Sequence, residues 1–164
     1  MSETLEQSFV KQLKQNQNIV HKICRLYTTD SDAHNDLFQE ITIQLWKAFP
    51  KFRGESKFST WAYRVALNTA ITLYRKNKRS VSTVSYEAQQ HFFVQDEYNL
   101  EEEERIKLMY QAVQQLNDIE KALVFMYLED KDYTEIAETL GISEVNARVK
   151  VNRIKGKLIK ILNP

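Results

Sequence analysis

An all-α protein, built as two small helical domains joined by a flexible linker, is the fold this sequence predicts. Three observations carry that reading. Glycine (3) and proline (2) are scarce while 43% of the residues are hydrophobic, which disfavours a turn-rich β fold and leaves enough apolar surface for cores. Apolar residues recur at helical spacing through most of the chain. Residues 80–100, SVSTVSYEAQQHFFVQDEYNL, interrupt that spacing with Ser, Thr, Gln and acids and show no sustained period. The domains are therefore drawn at 1–80 and 101–164, with the linker at 81–100.

Residues 4–28 place Leu5, Phe9, Leu13, Ile19, Val20, Ile23, Cys24 and Tyr27 at helical intervals, with a break or a solvent-facing turn expected at 16–18. TTDSD at 28–32 supplies capping residues for a second helix. Over 33–49 that helix carries Leu37, Ile41, Leu45 and Phe49 on one stripe, with Phe38 and Trp46 beside it. Pro50 ends it, because proline lacks the backbone donor and restricts the residue before it. Gly54 supplies a turn, and Ser56 or Ser59 can cap a third helix running to Asn77. Helix resumes near Glu101 and runs to Leu116, its leading acids facing the positive end of the dipole. Shorter helices are read at 119–129 behind Asn117 or Asp118, at 133–140 before Gly141, and from 144 behind Ser143.

The net charge of +1 conceals a strong pattern. Residues 47–79 carry nine Lys/Arg against Glu55 alone, and residues 141–164 carry six against Glu144 alone. Between them, residues 87–138 hold fourteen acids and four bases. Two basic blocks flanking an acidic one point to two separate anion-binding surfaces. The lone Cys24 excludes an internal disulfide or a thiolate metal cluster and fits a small buried side chain. The N-terminus has no basic start followed by an apolar core, and no stretch is apolar enough to span a bilayer, so a cytoplasmic protein without membrane insertion is expected. His21, His34 and His91 are scattered, and Asp32, Asp36 and Glu40 share a helical face that fits solvation better than a metal. No enzyme, cofactor or metal is expected.

The segment YTEIAETLGISEVNARVKVNRIKGKL has a helix-turn-helix pattern. Ile136, Ala137 and Leu140 face a core, Gly141 permits the left-handed turn, Ile142 anchors it, and Val145 and Val149, with Ala147 as a candidate third, are apolar positions on the second helix. The polar face of that helix offers Asn146, Arg148, Lys150, Asn152 and Arg153 to a major groove, Arg and Asn for base edges and Lys for phosphate. The first basic block differs. Phe58, Trp61 and Tyr63 can stack on unpaired bases, with Trp61, Val65 and Phe58 the members that can pack into a core instead, while Arg75, Lys76, Lys78 and Arg79 hold phosphates and Asn68 stands as a base-reading amide in an apolar run. Arg53, Lys57 and Arg64 extend this basic surface. A dimeric helix-turn-helix regulator explains residues 133–157 but leaves 32–79 as scaffold. A helical protein-sequestering bundle explains the amphipathic helices but not the basic blocks.

The order DLFQE, then FRGES with STWAYRVALN, then YTEIAETLGIS resembles the small bacterial alternative sigma factors of the extracytoplasmic-function group, within the sigma-70 family. The resemblance covers nearly the whole chain. It implies a region 2 helical bundle at 1–80 and a region 4 helix-turn-helix at 101–164. It implies core RNA polymerase as partner, docked through its β′ clamp helices on Asp36, Gln39, Glu40 and Gln44. It further implies that residues 52–56 and Asn68 line a pocket for a flipped base of a single-stranded −10 element. Arg148, Val149, Asn152 and Arg153 would contact a duplex −35 element. An anti-sigma factor is implied as a further partner. Three departures mark the chain: Leu116-Asn117 where Leu-Pro is common, Val145-Asn146-Ala147 where Gly-Thr-Val is common, and Thr72 where an Asp often follows the base-reading Asn.

Overall fold

The computed structural model describes residues 2–80 and 100–164, with residues 79 and 80 described by their backbone alone. Residues 81–99 of the linker expected at 81–100 lie outside the described residues, and Leu100 already belongs to the next helix. Among these residues all regular structure is helical, as the scarcity of turn formers requires. The chain divides into two compact units, one holding the first three helices and one the last four.

In the first unit, α1 (Leu5–Tyr27) opens with a reciprocal capping box between Thr4 and Gln7, each side chain 3.1 Å from the other's backbone nitrogen. It passes through Asn16–Asn18 without the expected break. The Asn16 amide donates to the Gln12 carbonyl at 2.8 Å, so the polar run is carried by the helix rather than ending it. Leu5, the first residue of the helix, is half-exposed, whereas Phe9, Val20, Ile23, Cys24 and Tyr27 are buried. Burial pushes the Cys24 thiol up to about 12.

α2 (Ser31–Ala48) starts behind Asp30, whose carboxylate accepts from the Ala33 N–H at 2.8 Å. Leu37, Ile41, Leu45 and Phe49 are all buried, as their spacing requires. The helix tightens into a 3₁₀ turn at Phe49–Lys51, where Pro50 sits at a position that needs no donor. α3 (Phe58–Ser80) begins at Phe58, with the Lys57 carbonyl accepting from the Trp61 N–H at 3.2 Å. Ser59 is thus inside the first turn and Ser56 is one residue too early to cap. Ala62, Ala66 and Ala70 lie four apart and are buried, letting α3 approach α1 and α2 closely.

In the second unit, α4 (Leu100–Val113) leads to α5 (Asp118–Leu128), which is capped by a second reciprocal box between Asn117 and Glu120. Residues Lys121–Met126 of α5 are buried without interruption, so α5 is the centre of this unit. The buried Lys121 ammonium donates to Gln114 at 3.1 Å. α6 (Tyr133–Leu140) is capped by Asp132 and ends at Gly141, whose φ of 69° is left-handed. The N–H groups of Gly141 and Ile142 both reach the Ala137 carbonyl, at 2.9 and 3.1 Å. Ser143 then caps α7 (Glu144–Leu162) by accepting from the Asn146 N–H at 3.1 Å. The core face of α7 is Ala147, Val151, Ile154 and Leu158, packed on α5 and α6. Val145 and Val149, expected among its apolar packing positions, are instead 74% and 42% exposed.

Candidate nucleic-acid interface

The alanine face of α3 fixes what the opposite face presents. At 3.6 residues per turn, Trp61, Arg64, Asn68, Thr72 and Arg75 fall on one line along the helix. Arg64, Asn68, Thr72 and Arg75 are exposed and Trp61 is half-buried. From Trp61 to Arg75 the line is about 21 Å long. Lys76 and Lys78 are exposed on its two flanks, and the Lys78 ammonium lies 5.8 Å from the centre of the Tyr74 ring. The Arg79 side chain lies outside the described residues. The Thr72 hydroxyl donates to the Asn68 carbonyl at 2.7 Å, which occupies its proton within the helix and leaves an oxygen and a methyl facing outward.

An aromatic cluster holds the head of this line. Trp61 packs against Phe52 at 5.0 Å and Phe58 at 5.3 Å, and Phe52 meets Phe49 at 6.1 Å. Phe58 and Tyr63 are buried, so these two members of the expected stacking set belong to the core. Trp61 packs in the cluster and is half-buried. Between Phe52 and α3 the chain turns at Gly54, whose φ is 71°, and carries Arg53 and Lys57 exposed. The structure therefore brings Arg53, Lys57, Trp61, Arg64, Asn68 and Arg75 into one turn and one helix face.

On α7, Val145, Asn146, Val149, Asn152 and Arg153 share the face opposite the core and are exposed. Lys150 sits at one edge, half-buried. Arg148 sits at the other edge and has neighbours of its own, Glu144 at 3.6 Å and the Tyr133 ring at 5.0 Å. Its guanidinium is thus held to the helix start rather than lying at the centre of the face.

On α2, Asp36 and Gln39 are exposed, and Glu40 and Gln44 are half-buried with the Gln44 amide donating to Glu40 at 3.0 Å. Two apolar residues join this face that the sequence reading left out. Ile43 is 45% exposed between Gln39 and Glu40, and Trp46 is 40% exposed while leaning on Phe9 at 5.1 Å. A helical wheel locates Ile43, which falls opposite the Leu37–Ile41–Leu45 stripe.

Residues 13–80 match the model of sigma-70 region 2, and residues 106–158 match that of sigma-70 region 4. The RNA polymerase sigma-H factor of Pseudomonas aeruginosa PAO1 is 30% identical over 158 residues, covering 88% of this chain and 82% of that protein. The chain belongs to the extracytoplasmic-function group of the sigma-70 family. The sigma-E factor of Escherichia coli K12 is 26% identical, with the same shares of both chains covered. Among solved structures, the sigma factor RpoE of Bartonella quintana, determined with the anti-sigma factor NepR, superposes with a TM-score of 0.72 at 16% identity, covering 94% of this chain and 96% of that one. CnrH, determined with the cytosolic domain of CnrY, gives 0.66 at 17%, covering 96% and 89%. These structures share the fold. This sigma factor therefore binds core RNA polymerase and directs it to promoters, in a family of regulatory rather than catalytic proteins. No helix among its described residues is long and apolar enough to cross a membrane.

Proposed function

We propose that the first unit docks on the β′ clamp helices of core polymerase through α2 and reads the −10 element as a single strand on α3. The second unit reads the −35 duplex with α7. Residues 1–80 and 101–164 then divide the work, and 81–100 connects them. The observation that carries this reading is the line along α3: a half-buried indole at one end, an exposed amide midway, and guanidinium and ammonium groups at the other. Stacking, base-edge hydrogen bonding and phosphate neutralisation are the three contacts a separated strand offers.

Asp36, Gln39, Glu40 and Gln44 form the polar part of the polymerase dock. Asn68 reads a flipped base, with Arg53, Lys57, Trp61 and Arg64 lining its pocket and Arg75, Lys76 and Arg79 holding phosphates. Asn146, Val149, Asn152 and Arg153 meet base edges of the −35 element, while Lys150 and the tethered Arg148 hold its backbone. The protein works in the cytoplasm, without a cofactor, and an anti-sigma factor controls it, as RpoE is paired with NepR. Reconstituted transcription with core polymerase and a library of promoter sequences tests the reading. Specific starts with sequence preferences at two spaced elements are expected. Starts without preference, or none, overturn it.

A further inference from the structure

His21 and His34, thirteen residues apart, meet across the α1–α2 contact with His21 Nδ1 and His34 Nε2 3.0 Å apart. Their rings are near-parallel, and the His21 ring also stacks on Phe38 at 4.4 Å. Both side chains are half-buried. At 3.0 Å, one ring must donate its N–H to the lone pair of the other. When both rings have taken up an additional proton, neither has a lone pair left to accept, and two positive charges are set in contact.

The surroundings oppose even the first proton. Burial holds the His21 imidazole below the ordinary histidine range, with the Arg25 guanidinium on α1 acting in the same direction. Burial does the same to His34, joined by His21 and by Arg25. Among the described residues of α2 and α3, no carboxylate contributes a compensating charge to either ring. The sign follows by linkage. A folded-state pKa below the unfolded value of about 6.5 means that stability is fully present above that pH and is lost as pH falls through the folded value.

We propose that the His21–His34 pair is an acid-sensitive clasp that pins the first turns of α2 to α1 and opens as it takes up protons, weakening the helix that carries the polymerase dock. The link to docking rests on the assignment of Asp36, Gln39 and Glu40 proposed above. His34 stands two residues before Asp36 on the same helix, so loosening this turn displaces the face that begins there.

The test uses the full chain. Both tryptophans, Trp46 and Trp61, lie in the first unit, so tryptophan fluorescence reports its urea unfolding selectively. His34→Gln and His21→Asn each keep a neutral hydrogen-bonding group and remove one titration. Between about pH 7.5 and about pH 5.5 the wild-type midpoint is expected to fall, and the fall is expected to be smaller in either variant. Polymerase affinity measured over the same range is expected to follow the same order. An equal fall in wild type and both variants overturns the clasp, and so does an ordinary, uncoupled titration of the two imidazoles by NMR. If the variants flatten the stability profile but leave the pH dependence of polymerase affinity unchanged, the link to docking is overturned, whereas a double variant Asp36→Ala with Glu40→Ala that binds polymerase normally would overturn the dock itself.

Discussion

Phe52 and Trp61 pack with ring centroids 5.0 Å apart, and with a second contact from Phe52 to Phe58 at 5.9 Å they anchor the turn that carries Arg53 to the first turn of α3. Removing the Trp61 contact and removing a base-stacking surface are separable. Trp61→Ala takes away a half-buried member of the cluster and is expected to destabilise the first unit by about 2–3 kcal/mol. Trp61→Phe retains a ring against Phe52 and Phe58 and is expected to cost about 1 kcal/mol or less. If Trp61 also stacks on DNA, the Phe variant will show reduced promoter opening at near-normal stability. Urea unfolding beside permanganate footprinting of the melted region separates the two effects.

Asn68 is exposed on α3, and its backbone carbonyl, not its amide, is what Thr72 engages. Asn68→Ala is therefore expected to leave stability within about 0.5 kcal/mol of wild type. Open-complex formation is expected to fall about tenfold or more, because a base edge loses paired hydrogen bonds. Polymerase binding should be unchanged. A loss of polymerase affinity in place of the opening defect would contradict the assignment.

The converse holds on α2. Asp36→Ala with Glu40→Ala is expected to weaken polymerase binding about tenfold while the assembled enzyme opens promoters normally at saturating sigma factor. Ile43→Asp should act in the same direction, since an exposed apolar side chain at the centre of a polar face is the anatomy of an interface anchor. Titration of labelled sigma factor with core polymerase measures both. Normal affinity in the double variant would move the dock elsewhere.

The Leu37–Ile41–Leu45–Phe49 stripe was legible because a single apolar face leaves no choice of register. The caps at Asn117 and Ser143 and the left-handed Gly141 were legible because each has a local chemical signature. The core face of α7 was not. Its apolar residues form two stripes, Val145–Val149 and Val151–Ile154–Leu158, and only packing against α5 and α6 selects the second. The burial of Phe58 and Tyr63, with Trp61 left partly open, was equally hidden, since aromatic residues serve stacking and packing alike. The His21–His34 contact has no sequence signal at all: it arises from the pairing of two helices.

Gly141 and Gly156 offer the same substitution with opposite expected signs. A Cβ added at either meets nothing within 4 Å, so sterics with neighbours decide neither case. Gly141 holds φ at 69°, where an L side chain is strained by about 1–2 kcal/mol. Gly141→Ala should lower the stability of the second unit by that amount, and Gly141→Asn should recover part of it, since Asn tolerates the left-handed region. Gly156 lies inside α7, where glycine costs about 1 kcal/mol relative to alanine through backbone entropy. Gly156→Ala should therefore stabilise the same unit by up to that amount. The readout is hydrogen exchange of the buried α5 amides, which follows unfolding of the second unit without requiring a tryptophan there. Destabilisation by Gly156→Ala would mean that α7 departs from regular helix at that position. An unchanged Gly141→Ala variant would mean that the turn between α6 and α7 relaxes out of the left-handed conformation that sets the angle at which α7 leaves α6.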